Sequence, residues 1–323
     1  MRIAHISDIH AQDTPTFRSR FRNLLESIRH HDIDHLIITG DLTDKAKTEE
    51  YTTVIDILNE YSFTTSKELT VIPGNHDVFP SVFQSFTFRL STLREEFRRE
   101  PLRVSKELYR VMRAYRKFRP AHYHHALRYF TTRFHHTFES AIATGGEETM
   151  GFPYVKHLND QFAAVCIESN YVSPHIKKNL PYALLKYLIT KDIFVESDNP
   201  ICSNGWVDIG LLRKALTHPE VTNKKIILLV HHFVYTDKQV TKYMSPSLAK
   251  TMSLVNREAV LAELSRTNIE LILHGHWHVT EPYTVTDGTL RAINGAGVFQ
   301  QGDNRWSVIT LAANGIRYES IQC

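Results

Sequence analysis

Five short segments of this chain carry residue types that bind divalent cations. They are Asp8-Ile9-His10, Gly40-Asp41-Leu42-Thr43-Asp44, Gly74-Asn75-His76-Asp77, His231-His232 and Gly275-His276-Trp277-His278. Together they offer carboxylate and amide oxygens and imidazole nitrogens, and no thiolate. Such a set suits hard or borderline transition ions such as Mn²⁺, Fe or Zn²⁺, whereas a structural zinc site usually brings cysteine. An Asp-x-His pair on an extended segment points both side chains to one side of the strand, and His276 with His278 would do the same. Two such pairs facing each other could grip one ion. Asp41 between them could bridge to a second ion, held also by Asn75, His231 and one histidine of the last pair. Gly40, Gly74 and Gly275 are expected to permit the tight strand-to-loop reversals that bring these side chains together. The chain has 19 histidines, so a single pair has little force; the weight lies in all five segments occurring in order.

The elements that must position them can be read from hydrophobic spacing. Ile3–Ser7, His35–Thr39 and Leu69–Pro73 read as buried strands, with helices over Phe21–Ile28 and Tyr51–Tyr61 between them. Strands separated by helices predict βαβ units and a largely parallel sheet. Asp8, Asp41 and Asn75 each follow a strand directly, which is where open α/β sheets place their sites. Strand patterns resume at Phe162–Glu168, Ile226–Val230, Glu270–Leu273, Leu290–Asn294 and Trp306–Leu311. The later ones show no helix between them and carry turn signals at Asp287-Gly288 and Asn314-Gly315, which predicts antiparallel pairing.

Between these blocks the pattern changes. Phe83, Phe86, Leu90, Leu93 and Phe97 recur at helical spacing, as do Val104, Leu108, Val111, Tyr115 and Phe118, with a third stripe from Leu127 through Phe130 to Phe134. This predicts a helical insert over residues 79–151 within a single domain of residues 1–323. The total formal charge is +3, yet Phe86 to Phe138 holds thirteen Lys and Arg against four Glu. A local excess of nine positive charges therefore sits in a body that carries about six negative ones. A basic amphipathic helix is a signature of anionic membrane surfaces. Arg110, Arg113 and Arg116 are its candidate substrate-binding residues; the alternative is a helical hairpin packed on the body with its arginine face solvated.

No apolar run approaches the ~20 residues needed to span a bilayer, and the N-terminus shows no charged-then-apolar signal pattern. The three cysteines show no CxxC spacing, which predicts a reducing, cytoplasmic setting.

The ordered set DxH, GDxxD, GNHD, a histidine after an apolar strand and GHxH resembles the calcineurin-like metallophosphoesterases over roughly residues 1–78 and 152–323. That resemblance implies a four-layer α/β/β/α sandwich with two mixed sheets, here with an inserted helical cap. It implies that Asp8, His10, Asp41 and His278 hold one divalent ion and that Asp41, Asn75, His231 and His276 hold the other, Mn²⁺ being expected, with Fe or Zn²⁺ as alternatives. His231 rather than His232 matches the first residue of the family's His-x-Pro-like signature, although that proline is absent here. His76 would contact the scissile phosphate or the leaving group, with Asp77 or Asp44 orienting its neighbours. The implied reaction is hydrolysis of a phosphodiester or pyrophosphate by hydroxide formed between two ions.

A basic, apolar cap placed straight after Asp77 resembles that of the UDP-2,3-diacylglucosamine hydrolases of the lipid A pathway. These release lipid X and UMP while peripheral to the inner membrane. An amphiphilic phosphorylated substrate and an anionic membrane surface are the expected partners. A nucleic-acid or cyclic-nucleotide phosphodiesterase is the alternative enzyme, and a non-catalytic binding protein on the same fold is the alternative outside catalysis.

Overall fold

The architecture is that of a computed structural model, described for residues 1–78, 123–170, 205–232, 234, 254–278, 282–285, 290–295, 297, 299 and 305–322. The first two helices expected in the insert, with Arg110, Arg113 and Arg116, lie outside these residues.

The chain begins with β1 (Arg2–Ile6), α1 (Pro15–Arg29), β2 (His35–Thr39), α2 (Thr48–Glu60) and β3 (Leu69–Ile72), followed by the single turn α3 (Asn75–Val78). α1 starts well before the expected Phe21. Thr14 caps it by accepting from the Phe17 amide, and Pro15 opens its first turn, where a missing N–H costs nothing. Its Phe17, Phe21, Leu24, Leu25 and Ile28 form one buried stripe. β1, β2 and β3 pair in parallel, as the βαβ spacing predicts. β11 (Arg305–Ala312) and β12 (Gly315–Gln322) extend this sheet on the other side in the order β12-β11-β1-β2-β3.

The second sheet has seven strands in the order β4-β5-β6-β7-β8-β10-β9. These are β4 (Ala141–Ala143), β5 (Tyr154–His157), β6 (Phe162–Cys166), β7 (Lys225–Leu229), β8 (Ile269–His274), β9 (Pro282–Val285) and β10 (Leu290–Asn294). Antiparallel pairing of the later strands holds for β9 with β10 and for the β11–β12 hairpin closed by Asn314-Gly315. It fails for β6, β7, β8 and β10, which run parallel. The physical reason is the pair of short helices Ile209–Leu216 and Arg257–Leu264, which supply crossovers before β7 and β8.

Alternation along β6 separates the layers. Phe162, Ala164 and Cys166 join the core shared with the first sheet, α1 and α2, while Ala163, Val165 and Ile167 join the core under the helices Ile209–Leu216 and Arg257–Leu264. Helices thus cover the outer face of each sheet, and the sheets face each other as an α/β/β/α sandwich. Polar bridges cross the middle: the Tyr154 hydroxyl donates to Val71 O at 3.0 Å, and the buried Lys156 ammonium donates to Leu69 O at 2.6 Å. Residues 123–133 are helical, and Tyr123, Leu127, Phe130 and Phe134 are buried in the first core. β4 falls within the span assigned to the insert yet hydrogen-bonds β5 in the body's second sheet.

Candidate metal centre

The residues named above converge at the C-terminal ends of β1, β2, β3, β7 and β8, but not by strand alternation. β1 ends at Ile6, and Asp8 and His10 have φ values of 53° and 46°; Asp41, His276 and His278 have 51°, 72° and 59°. Five neighbouring side chains thus stand on left-handed backbone, which non-glycine residues rarely adopt and which marks functional sites when surroundings enforce it. The enforcing contacts are backbone bonds between loops: Asp8 N to Gly40 O at 3.0 Å, His10 N to Asp41 O at 2.9 Å and Ala11 N to Leu42 O at 2.9 Å. Gly40 is left-handed, as a reversal requires. Gly74 and Gly275 serve a different purpose from the one expected: a Cβ at Gly74 would collide with the Asp41 carboxylate, and one at Gly275 with the Ser7 hydroxyl.

On one side of Asp41, His278 Nε2 lies 3.2 Å from Asp8 Oδ1 and 3.3 Å from His10 Nε2, and His10 Nε2 lies 3.8 Å from Asp41 Oδ2. On the other side, His231 Nε2 lies 3.4 Å from that same Asp41 oxygen, 3.1 Å from Asn75 Oδ1 and 3.2 Å from His276 Nδ1. Asp8-His10-His278 and Asp41-His231-His276 are each compact enough to hold an ion, and His10-Asp41-His76 forms a third such trio. His231 is chosen over His232 by orientation. The His231 Nδ1 can only donate to Thr39 O, at 2.8 Å, which turns Nε2 to Asp41 as the nitrogen an ion would take in place of a proton; His232 turns Nδ1 to Ser169 Oγ at 2.8 Å.

Asp8 and Asp41 are both fully buried, and among the described residues neither meets a Lys or Arg. Burial works against ionising Asp41, but His231 and His76 hold its carboxyl well below the usual range. Burial likewise opposes ionising Asp8, and the His278 imidazole beside it holds its carboxyl down. In return His231 rises to about 9, against the effect of burial, because Asp41 and Asp8 stabilise its imidazolium, and His278 is raised next to Asp8. Burial lowers His10 to about 4 and His276 well below the ordinary value. Two buried carboxylates balanced only by protons on neighbouring imidazoles form a donor set that fits a pair of divalent ions, which would replace those protons.

Asp77 does not face this cluster. Its carboxylate accepts from the amides of Leu42, Thr43 and Gly74 at 3.1, 3.0 and 2.9 Å and from the Thr43 hydroxyl at 2.9 Å. Asp77 thus ties the Asp41 loop to the Asn75 loop. His76 stands at the rim, its ring 4.5 Å from that of His10, with Nδ1 donating to Asp44 O at 2.8 Å. His274 is buried behind the site and bonded to the Tyr283 hydroxyl at 2.7 Å. Sequence reading missed Glu168, Ser169 and Asn170 after β6. Asn170 Nδ2 donates to Pro73 O at 3.1 Å, steadying the segment that leads to Asn75; no spacing pattern marks these residues.

A family sequence model described as calcineurin-like phosphoesterase matches residues 1–280. The chain is a calcineurin-like phosphoesterase. Among solved structures, this phosphoesterase is similar to a dimetal phosphatase from Danio rerio, with a TM-score of 0.57 and 14% identity over 100% of this chain and 98% of that one. A phosphopantetheinyl hydrolase from Mycobacterium tuberculosis aligns at TM-score 0.49 and 12% identity, covering 98% and 95% of the two chains. No curated protein matches the phosphoesterase by sequence. Among its described residues no helix is long and apolar enough to cross a membrane.

Proposed function

We propose that this phosphoesterase hydrolyses a phosphodiester or pyrophosphate with two divalent ions bound at the ends of its strands. The observation that carries the reading is the single Asp41 carboxylate, buried between two sets of donors. Asp8, His10 and His278 would complete one ion's shell and Asn75, His231 and His276 the other's, with Mn²⁺ proposed ahead of Fe or Zn²⁺. Bound ions supply Lewis acidity and make water acidic enough to yield hydroxide near neutral pH.

The chain's own residues set the remaining conditions. Thr39 O holds the His231 Nδ1 proton, so that Nε2 faces inward and would offer its lone pair to an ion once its own proton is displaced. The His76 amide donates to Asp41 Oδ1 at 2.7 Å, which fixes the carboxylate's orientation. Asp44 O takes the His76 Nδ1 proton in a hydrogen bond, which orients the ring at the rim so that Nε2 is the nitrogen proposed to meet substrate. A proton carried on Nε2, and not the Nδ1 proton held by Asp44 O, would be the one given to the departing oxygen.

A test is hydrolysis of bis(p-nitrophenyl) phosphate by metal-stripped protein reloaded with Mn²⁺, Fe²⁺ or Zn²⁺, alongside elemental analysis. Two bound ions per chain with activity restored by one of them are expected; activity indifferent to chelation would end the proposal. UDP-2,3-diacylglucosamine at a membrane surface is a narrower reading, supported by the basic and apolar character of residues 79–122. Release of UMP from that lipid, lost when Arg110, Arg113 and Arg116 are neutralised together, is its test.

A further inference from the structure

A cavity of about 310 Å³ opens where β6 ends, against the first turn of the helix Ile209–Leu216. Phe152, Ile167, Val207 and Leu211 give it apolar walls, and among the described residues its ionisable lining groups are Glu168 and Asp208, with no Lys or Arg. Glu168 is only 8% exposed. Its carboxylate accepts from the Tyr123 hydroxyl and from the Asn170 amide at 2.5 Å, and among the described residues no cation pairs with it. Asp208 is exposed, and one of its oxygens caps the helix by accepting from Leu211 N at 2.9 Å.

A buried carboxylate without a cation is costly in an apolar setting, and Glu168 accordingly has its proton affinity raised, to about 7, chiefly by burial. The cavity is also coupled to the metal centre. Ser169, next to Glu168, bonds His232 beside His231, and Asn170 bonds Pro73 just before Gly74-Asn75. Acidic lining of this kind repels phosphate. It favours a group with an apolar body and a positive charge, for which the walls provide contact and Glu168 the counter-ion.

We propose that this cavity is a substrate pocket for an alkylammonium group carried on the alcohol of a phosphodiester that stays esterified while water cleaves the other P–O bond. The inference rests on the phosphodiester reading above and narrows its substrate class. It also departs from UDP-2,3-diacylglucosamine, which bears no such cation.

The test uses the full Mn²⁺-loaded chain and two matched chromogenic esters, p-nitrophenyl phosphocholine and its uncharged carbon isostere, p-nitrophenyl 3,3-dimethylbutyl phosphate. Wild type is expected to prefer the choline ester in kcat/KM by on the order of tenfold. In Glu168→Gln that ratio is expected to fall towards one, and because both esters are read on the same preparation, partial unfolding cancels. Should Glu168→Gln not fold, Leu211→Lys, which places a positive charge at the wall, is expected to depress the ratio in the same way. Choline should also raise the melting temperature of wild type more than 3,3-dimethylbutanol does. A wild-type ratio near one, with bis(p-nitrophenyl) phosphate still hydrolysed, overturns the pocket assignment and leaves the phosphoesterase reading standing. If no ester is hydrolysed with any ion, that reading fails instead, and choline-specific stabilisation alone then decides the pocket.

Discussion

The loops after β2 and β3 each bury an aspartate completely, and the protein uses the two in opposite ways. Asp41 faces histidines and is held far down in proton affinity; Asp77, four hydrogen bonds deep in backbone amides and a hydroxyl, is pushed up to about 6 by burial and by Asp41 itself. Asp41 accepts from the His76 amide and otherwise faces imidazoles whose protons metal ions would replace, whereas Asp77 accepts from three backbone amides and a hydroxyl. Burial alone therefore does not separate a metal-binding carboxylate from a structural one; the identity of its partners does.

Four measurements can break or sharpen that contrast. The largest effect is expected for Asp41→Asn, which keeps an oxygen for the His76 amide but removes the charge shared between the donor sets. Turnover should fall by ~10³-fold or more, equivalent to ~4 kcal/mol of barrier, with little change in the melting temperature of the metal-free protein. Asp77→Ala should show the reverse emphasis. Orphaning three buried amides is expected to cost ~3 kcal/mol of stability, read by chemical denaturation. If the two substitutions damaged stability and turnover in equal proportion, the contrast would be lost.

A third measurement concerns protons. With His231 held at about 9 and His278 also raised, both can carry protons at neutral pH before ions bind. Metal binding must displace them, so affinity should climb with pH up to about 9, approaching tenfold per unit for each displaced proton. Calorimetry in buffers of different ionisation enthalpy would count the protons released; none released would mean that the histidines do not meet the ions.

The smallest effect is a pH trend in Asp77→Ala. Because the folded-state pKa of Asp77 lies above the usual 3.8, its linkage contribution is fully present below that value and lost as pH rises through 6. The destabilisation by Asp77→Ala should therefore shrink between pH 4 and pH 6, by ~1 kcal/mol or more. A penalty that grew over this window would reverse the assignment.

Much of the site was legible because the chemistry needs particular residue types directly after strands, and the strands after which they come are short apolar runs. β1, β2 and β3 and the residues Asp8, His10, Asp41, Asn75, His231, His276 and His278 are of that kind. What escaped depends on contacts between distant segments. Asp77 sits in the same Gly-Asn-His-Asp run as Asn75 and His76, and only the placement of the Gly40–Thr43 loop shows that its carboxylate turns away. Glu168 and Asn170 follow an unremarkable strand, and their value comes from Tyr123 and Pro73, 45 and 97 residues away. Parallel pairing of β7 and β8 was hidden because helices of eight residues are too short to dominate a periodicity.

The left-handed backbone beneath Asp8, His10, Asp41, His276 and His278 has a consequence for ion choice. A loop that relaxed to ordinary torsions would swing its side chain out of reach, and the hydrogen bonds between the Asp8–Ala11 and Gly40–Leu42 loops oppose that relaxation. The coordination cage is thus cast in advance, with its dimensions set by main chain and not by the guest. An ion of the wrong radius meets a frame that does not yield, so discrimination among metals should follow size more than the supply of donors.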